Sequence, residues 1–215
     1  MKVGTDGVLL GAWVSVRPTD RRILDIGTGT GLIALMLAQR AAAASITGID
    51  IASVDEARRN ADASPWGDRL HFEQCPVQRF EAEPFDLIVS NPPFFVESLR
   101  CPDAGRTQAR HAVELPFEAL RDALLRLLAP EGRYALVLPV AEAARFEALC
   151  EGELHRLRRT EVRTTPRRAP KRVLLEGTRR PTAAPVCDAL TIGTGAHETY
   201  TDEYRLLTRD FYLKF

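Results

Sequence analysis

The most constraining stretch of the chain is Arg22-Ile23-Leu24-Asp25-Ile26-Gly27-Thr28-Gly29-Thr30-Gly31-Leu32. A short apolar run breaks into three alternating glycines and resumes as Leu32 to Arg40, rich in Ala, Leu and Met. The first part reads as a strand, the last as a buried helix, and the glycines as a tight turn between them. Such a turn lets backbone approach a ligand closely and places it near the positive end of the following helix. Glycines alone can also serve only to make a tight turn, so the rest of the chain must decide.

The alternation of strand and helix continues. Ser45 to Ile51 reads as a second strand and Val54 to Ala63 as its helix. Leu70 to Glu73 is a short third strand, and Phe85 to Ser90 a fourth, apolar enough to be central. Phe117 to Leu128 carries apolar residues at helical spacing, Arg133 to Leu138 follows as a fifth strand, and Glu142 to Leu149 as a helix. Arg172 to Glu176 and Ala189 to Ile192 look like two further strands with no helix pattern between them, so they are expected to pair antiparallel. The fold expected is α/β: one domain over 1–215, a doubly wound, Rossmann-like sheet, mostly parallel with a C-terminal antiparallel pair. Its ligand is expected beyond the carboxyl ends of the central strands.

Composition excludes several classes. A chain of 215 residues, 45% apolar and 27% charged, suits one soluble globular domain. Its longest apolar runs, such as Leu32 to Ala38, fall short of the roughly 18 to 20 residues of a membrane span. No secretory leader is visible at Met1-Lys2-Val3-Gly4, so a cytoplasmic location is expected. Cys75, Cys101, Cys150 and Cys187 are scattered, as are the four histidines, and no metal site is expected. The zero net charge conceals one asymmetry: 154–181 holds about ten Lys or Arg against two Glu, which points to an anionic partner.

Two motifs carry chemistry. A dinucleotide fingerprint would need glycine at position 32, which is Leu. The spacing of Asp25, Gly27, Gly29 and Gly31 instead resembles the first motif of class I S-adenosylmethionine methyltransferases. Asp50, about twenty residues on at the end of the second strand, is placed to accept the ribose hydroxyls of a nucleoside. The fourth strand ends in Ser90-Asn91-Pro92-Pro93-Phe94-Phe95, where two prolines force the chain out of the sheet. This resembles the [DNS]-P-P-[YFW] motif of amino-nitrogen methyltransferases. An exocyclic amine or amide nitrogen is a poor nucleophile, too weak an acid for a side-chain base to deprotonate first. Two acceptors, the Asn91 side-chain oxygen and the Pro92 carbonyl, can hold its hydrogens and aim its lone pair. Phe94 offers a face for a flat acceptor swung out of its stack.

Lys2 to Trp13, Ser64 to Arg69, Ala109-Arg110-His111 and the ending Tyr200 to Tyr204 with Phe211-Tyr212-Leu213 are similar to segments of bacterial tRNA1(Val) (adenine37-N6)-methyltransferases. The resemblance runs across nearly the whole chain. It implies S-adenosylmethionine as cofactor, S-adenosylhomocysteine as product and tRNA as partner, with adenine N6 as acceptor. It also implies that 1–20 is a cofactor-side segment in which Thr5 and Asp6 pack over the cofactor. Relatives usually carry one to two dozen further residues ahead of this segment. They also often have an acid after the third strand that reads the cofactor's adenine; Pro76 stands there in this chain, leaving Ile51 and Val77 as candidates. Substrate contacts fall to Phe94 and Phe95 and, from the basic 154–215 region with its aromatic tail, to Arg167, Arg168, Lys171 and Arg172. The alternatives are a protein glutamine-N5 methyltransferase, which shares the tetrapeptide, and a nucleic-acid-binding relative that has lost transfer.

Overall fold

The computed structural model describes residues 4–93, 115–197 and 199–213. The sheet is eight-stranded, in the order β3-β2-β1-β4-β5-β7-β6-β8. Its strands are β1 (Arg22–Ile26), β2 (Ser45–Asp50), β3 (Leu70–Gln74), β4 (Phe85–Ser90), β5 (Leu128–Pro139), β6 (His155–Arg163), β7 (Arg172–Thr178) and β8 (Val186–Thr191). The first five run parallel; β7 is antiparallel to both β5 and β6, and β6 is parallel to β8.

Helices cover both faces. On one lie α1 (Thr5–Trp13), α2 (Leu32–Arg40), α3 (Asp55–Asp62) and the C-terminal α6 (Asp202–Thr208). Leu9, Trp13, Leu37 and Tyr204 meet Ile23, Leu87 and Val137 there. On the other lie α4 (Phe117–Leu127) and α5 (Val140–Leu149). Leu124 and Phe146 meet Leu24, Ile26 and Ile88 on that side. Period-two alternation along each strand sorts side chains between these two cores. The strand ladder is apolar at its centre, where β4 is buried almost throughout, and polar at its edges, where β3 and β8 expose most of their residues. Among the described residues no helix is long and apolar enough to cross a membrane.

The sheet corrects one expectation, and the fold adds three elements, β6, α1 and the C-terminal α6. Arg172–Glu176 and Ala189–Ile192 are not antiparallel neighbours: β6 lies between β7 and β8, and β8 joins it in parallel. The sequence of β6, His-Arg-Leu-Arg-Arg-Thr-Glu-Val-Arg, reads as a solvated basic run, yet its residues are mostly half-buried. Arginine stems cover apolar surface while their heads reach solvent or acids, which hides the strand period. α1 was unexpected because it is buried on nearly every side from Gly7 to Trp13 and shows no polar stripe. It sits close to α2: a Cβ on Gly11 would stand 2.7 Å from Met36 Sδ.

Candidate active site

Register builds the site. Ile26, the last residue of β1, pairs with Ile49 of β2 on one side and Ser90 of β4 on the other. Asp50 and Asn91 are each the next residue along, so they flank the glycine turn that leaves β1. Alternation then decides direction. Ile23, Ile46, Leu87 and Val89 face the α1–α2 core, so Asp25, Asp50 and Asn91, at even spacing from them, project toward that same side.

The turn is fastened by its own backbone. The amides of Gly27 and Thr28 donate to the Ile49 carbonyl at 2.8 and 3.0 Å. Gly27, Gly29 and Gly31 have φ of 73°, 54° and 78°, a region that side-chain-bearing residues rarely adopt. A Cβ on Gly27 would touch nothing within 4 Å, so its achiral backbone faces open space. Gly31 caps α2 and packs tightly, since a Cβ there would lie 3.1 Å from Ala57 and from the Phe72 ring.

Asp50 grips the turn from the side: its Oδ2 accepts from the Gly29 amide and its Oδ1 from the Ala52 amide, both at 2.9 Å. Each oxygen keeps a further lone pair, so two more donors can be held. Asp25 lies beneath the turn and is fully buried. Its Oδ2 accepts from the Thr28 hydroxyl at 2.7 Å, while Oδ1 has no hydrogen-bond partner. Burial pushes the Asp25 carboxyl up to about 7; the Thr28 hydroxyl and the Ala34 amide oppose this, and the Asp50 charge adds to it. Beside Asp50, the Cys75 amide donates to its carbonyl at 2.9 Å and Gln74 Nε2 to the Ile51 carbonyl at 3.1 Å. Ile51 is 43% exposed there, whereas Val77 is 3% exposed and belongs to the core.

On the β4 side, the buried Ser90 hydroxyl donates to the Ile26 carbonyl at 2.7 Å, locking the end of β4 to the end of β1. Asn91 is half-buried, Pro92 buried and Pro93 exposed. Phe94 and Phe95 lie outside the described residues, as do Cys101 and Ala109-Arg110-His111.

Thr5 and Asp6 form the first turn of α1. Asp6 Oδ2 accepts from Arg172 Nε at 2.8 Å, so the segment expected over the cofactor is tied to β7. That pairing separates Arg172 from Arg167, Arg168 and Lys171, which are exposed in the β6–β7 loop. Of the tail tyrosines, Tyr204 is buried, its hydroxyl 3.2 Å from that of Tyr212, whereas Tyr200 and Tyr212 are exposed. Three groups escaped the sequence reading. Thr28 and Ser90 were legible only as turn and strand residues, and Arg126, which donates to the carbonyls of Phe80 and Val77, gave no signal at all. Among the described residues no group of three His, Cys, Asp or Glu is placed to hold a metal ion.

Residues 19–168 match the model of a methyltransferase domain. The tRNA1(Val) (adenine(37)-N6)-methyltransferase of Phocaeicola vulgatus is 47% identical over 99% of this chain and 91% of its own length. The protein of the same name from Flavobacterium johnsoniae is 44% identical over 100% of this chain and 93% of its own. In fold, the chain superposes on a predicted O-methyltransferase, Atu636 of Agrobacterium tumefaciens, with a TM-score of 0.73, 20% identity, and 94% and 95% of the two chains covered.

Proposed function

We infer the activity from one premise: the chain belongs to the family of tRNA1(Val) (adenine(37)-N6)-methyltransferases. It transfers a methyl group from S-adenosylmethionine to N6 of adenine 37 in tRNA1(Val). The observation that carries this reading is the convergence of Asp25, Asp50 and Asn91 around one glycine turn, on one face of the sheet.

The residues present suit the cofactor. Open space over Gly27 admits a ligand against bare backbone. Asp50 keeps two acceptor lone pairs for the ribose hydroxyls, and Asp25, sealed beneath the turn with one oxygen unpartnered, would act on a cationic ligand through its charge rather than by contact. Ile51, exposed beside Asp50, would meet the adenine, whereas Val77 is buried in the core on the other face; Thr5 and Asp6, in the first turn of α1, would close over the cofactor. Bound there, S-adenosylmethionine supplies a methyl on a positively charged sulfur.

The chain's own work is to present the nitrogen. The Asn91 side-chain oxygen and the Pro92 carbonyl accept the two N6 hydrogens, which fixes the direction of the lone pair. Both acceptors are dipoles with their negative ends at the nitrogen, so they stabilise the positive charge that grows there during transfer. No base needs to act first, because the N–H becomes acidic only as the new N–C bond forms. Pro92 and Pro93 keep the two acceptors rigid, which lowers the reorganisation needed at the moment of reaction. Phe94 takes the stacking face of the adenine.

The test is transfer of labelled methyl to unmodified tRNA1(Val), followed by mass-spectrometric mapping of the product. N6-methyladenosine at position 37 is expected. Label on a release-factor glutamine with none on tRNA would transfer the assignment to the glutamine-modifying class; cofactor binding without transfer to any acceptor would leave a binding module.

A further inference from the structure

We propose that the β6–β7 loop, through Arg167, Arg168 and Lys171, is the arm that grips RNA phosphates near the target adenine, and that the ion-paired arginines of the basic C-terminal strands do not. The inference rests on the tRNA reading above and deepens it by assigning the docking surface.

The basic stretch 154–181 is divided by its partners. Arg156 and Arg159 both pair with Glu147, at 3.0 and 2.6 Å. Arg158 pairs with Asp188 at 2.9 Å and lies 4.7 Å over the Trp13 ring. Arg172 is held by Asp6, and Arg180 pairs with Glu131. Arg156, Arg158, Arg159 and Arg172 are half-buried against their acids, so moving them to a phosphate would strand an acid; the Arg180–Glu131 pair is exposed but follows Thr178, at the opposite end of the sheet from Asn91. Among the described residues, Arg167, Arg168 and Lys171 form no ion pair, and all three are exposed. Arg163, at the end of β6 just before the loop, likewise has no ion pair, and its buried Nε lacks a hydrogen-bond partner.

Their position fits the substrate. Arg172, at the foot of the loop, pairs with Pro139 at the carboxyl end of β5, and Leu136 of β5 pairs with Ser90 of β4. The loop therefore rises from the same end of the sheet as Asn91. Two to three strand spacings of about 4.8 Å put it roughly 10–15 Å to the side of that residue. Most of the paired cations sit lower: His155, at the start of β6, pairs with Thr178 at the far end of β7.

The arm is also stiff. Lys171 donates its amide to the Val162 carbonyl at 2.9 Å, and Arg168 its amide to Thr165 at 3.1 Å. Pro166 and Pro170 restrict the intervening backbone, and the Arg172–Asp6 pair anchors its exit to α1. A rigid set of guanidinium forks is suited to phosphate oxygens. The loop, Thr-Thr-Pro-Arg-Arg-Ala-Pro-Lys, has no aromatic or large aliphatic residue to enter a lipid interface, which favours RNA over a membrane surface.

The test compares the full chain with Arg167→Ala/Arg168→Ala/Lys171→Ala, and with a control that removes equal charge elsewhere, Arg59→Ala/Arg145→Ala/Arg209→Ala. Binding of unmodified tRNA is measured across salt concentrations. Three lost phosphate contacts should reduce the salt slope by about 2 and weaken binding ~100-fold at 0.1 M and ~30-fold at 0.2 M. The KM for tRNA should rise while kcat and S-adenosylmethionine affinity stay within a few-fold, and the control should change binding less than threefold. An unaltered salt slope in the loop variant, or an equal loss in the control, overturns the arm. So does a loop variant that keeps tRNA binding but loses binding to phosphatidylserine vesicles. A wild-type chain that methylates tRNA alongside an indistinguishable loop variant refutes the arm alone. A wild-type chain that neither binds nor methylates tRNA refutes the activity as well.

Discussion

Asp25 and Asp50 lie at the carboxyl ends of adjacent strands, Asp25 one residue before the last of β1 and Asp50 the last of β2, yet burial gives them different chemistry. Asp50 is held by two backbone amides at the rim of the turn, whereas Asp25 is sealed beneath it with one oxygen unsatisfied. The folded Asp25 carboxyl, raised to about 7 from 3.8, keeps a proton that the unfolded chain gives up between those values. Since the folded state binds more protons in that window, stability falls as pH rises from about 4 and levels off above about 7. Asp25→Asn removes the charge. Its stability relative to the wild type should therefore climb between pH 5 and 7.5 by a few kcal/mol, at about 1.4 kcal/mol per pKa unit. Urea unfolding at a series of pH values reads this directly, and a difference that does not vary with pH contradicts it. The same variant should bind S-adenosylmethionine more weakly at pH 8. The roles proposed for Asn91 and Asp50 belong to different halves of the reaction. Asn91→Ala should cut transfer by orders of magnitude with cofactor affinity within a few-fold, whereas Asp50→Ala should weaken cofactor binding first. Isothermal titration beside single-turnover transfer distinguishes them; reversed effects would exchange the two roles.

Elements differed in how plainly the sequence announced them, and the reason is what each strand or helix touches. β1, β2 and β4 are buried inner strands, so their apolar runs stand out, and the turn after β1 and the Asn91-Pro92-Pro93 break after β4 are visible in the sequence as a candidate site. β6 was hidden because its arginines look solvated while their stems and ion pairs lie against neighbours 9 to 30 residues away. α1 was hidden by the opposite cause, an apolar surface on every side. Pairs such as Asp6 with Arg172 join residues 166 apart, and no local pattern encodes such a contact. The largest of these long-range ties is Arg133 of β5, almost fully buried at the end of the sheet away from the turn. It donates to both oxygens of Asp20 at 2.9 and 2.7 Å, to Glu176 at 3.0 Å and to the Ser15 carbonyl at 2.6 Å. One side chain thus binds β5, β7 and the segment between α1 and β1. Arg133→Met keeps much of the volume but leaves two buried acids without their cation, and should cost about 3–5 kcal/mol. Chemical denaturation measures it; a loss below 1 kcal/mol would show that water reaches those acids.

At the scale of the whole molecule, one sheet separates two hydrophobic cores, and the site occupies the end of that sheet where α1 and α2 meet its central strands. The glycine turn and Asn91 proposed to serve the reaction leave the ends of buried central strands: β1 and β4 are neighbours, and their ends are tied together by the Ser90 hydroxyl. The arm for RNA lies two and three strands away, on an antiparallel extension with its own ion pairs. Sites so separated, linked through the Asp6–Arg172 pair, should behave nearly additively. A ligand that binds only the folded chain stabilises it by about 2.7 kcal/mol at a hundred times its Kd. In a chain of this length each kcal/mol corresponds to roughly 2–4 °C, so S-adenosylhomocysteine at that excess should raise Tm by about 5–10 °C. The Arg167→Ala/Arg168→Ala/Lys171→Ala chain should show the same rise, because nothing at the glycine turn depends on the arm. Asp50→Ala, at the same ligand concentration, should show little of it. Differential scanning fluorimetry checks all three. A loop variant whose cofactor shift shrinks with that of Asp50→Ala would mean that α1, held to β7 through Asp6 and Arg172, transmits the state of the arm to the cofactor site.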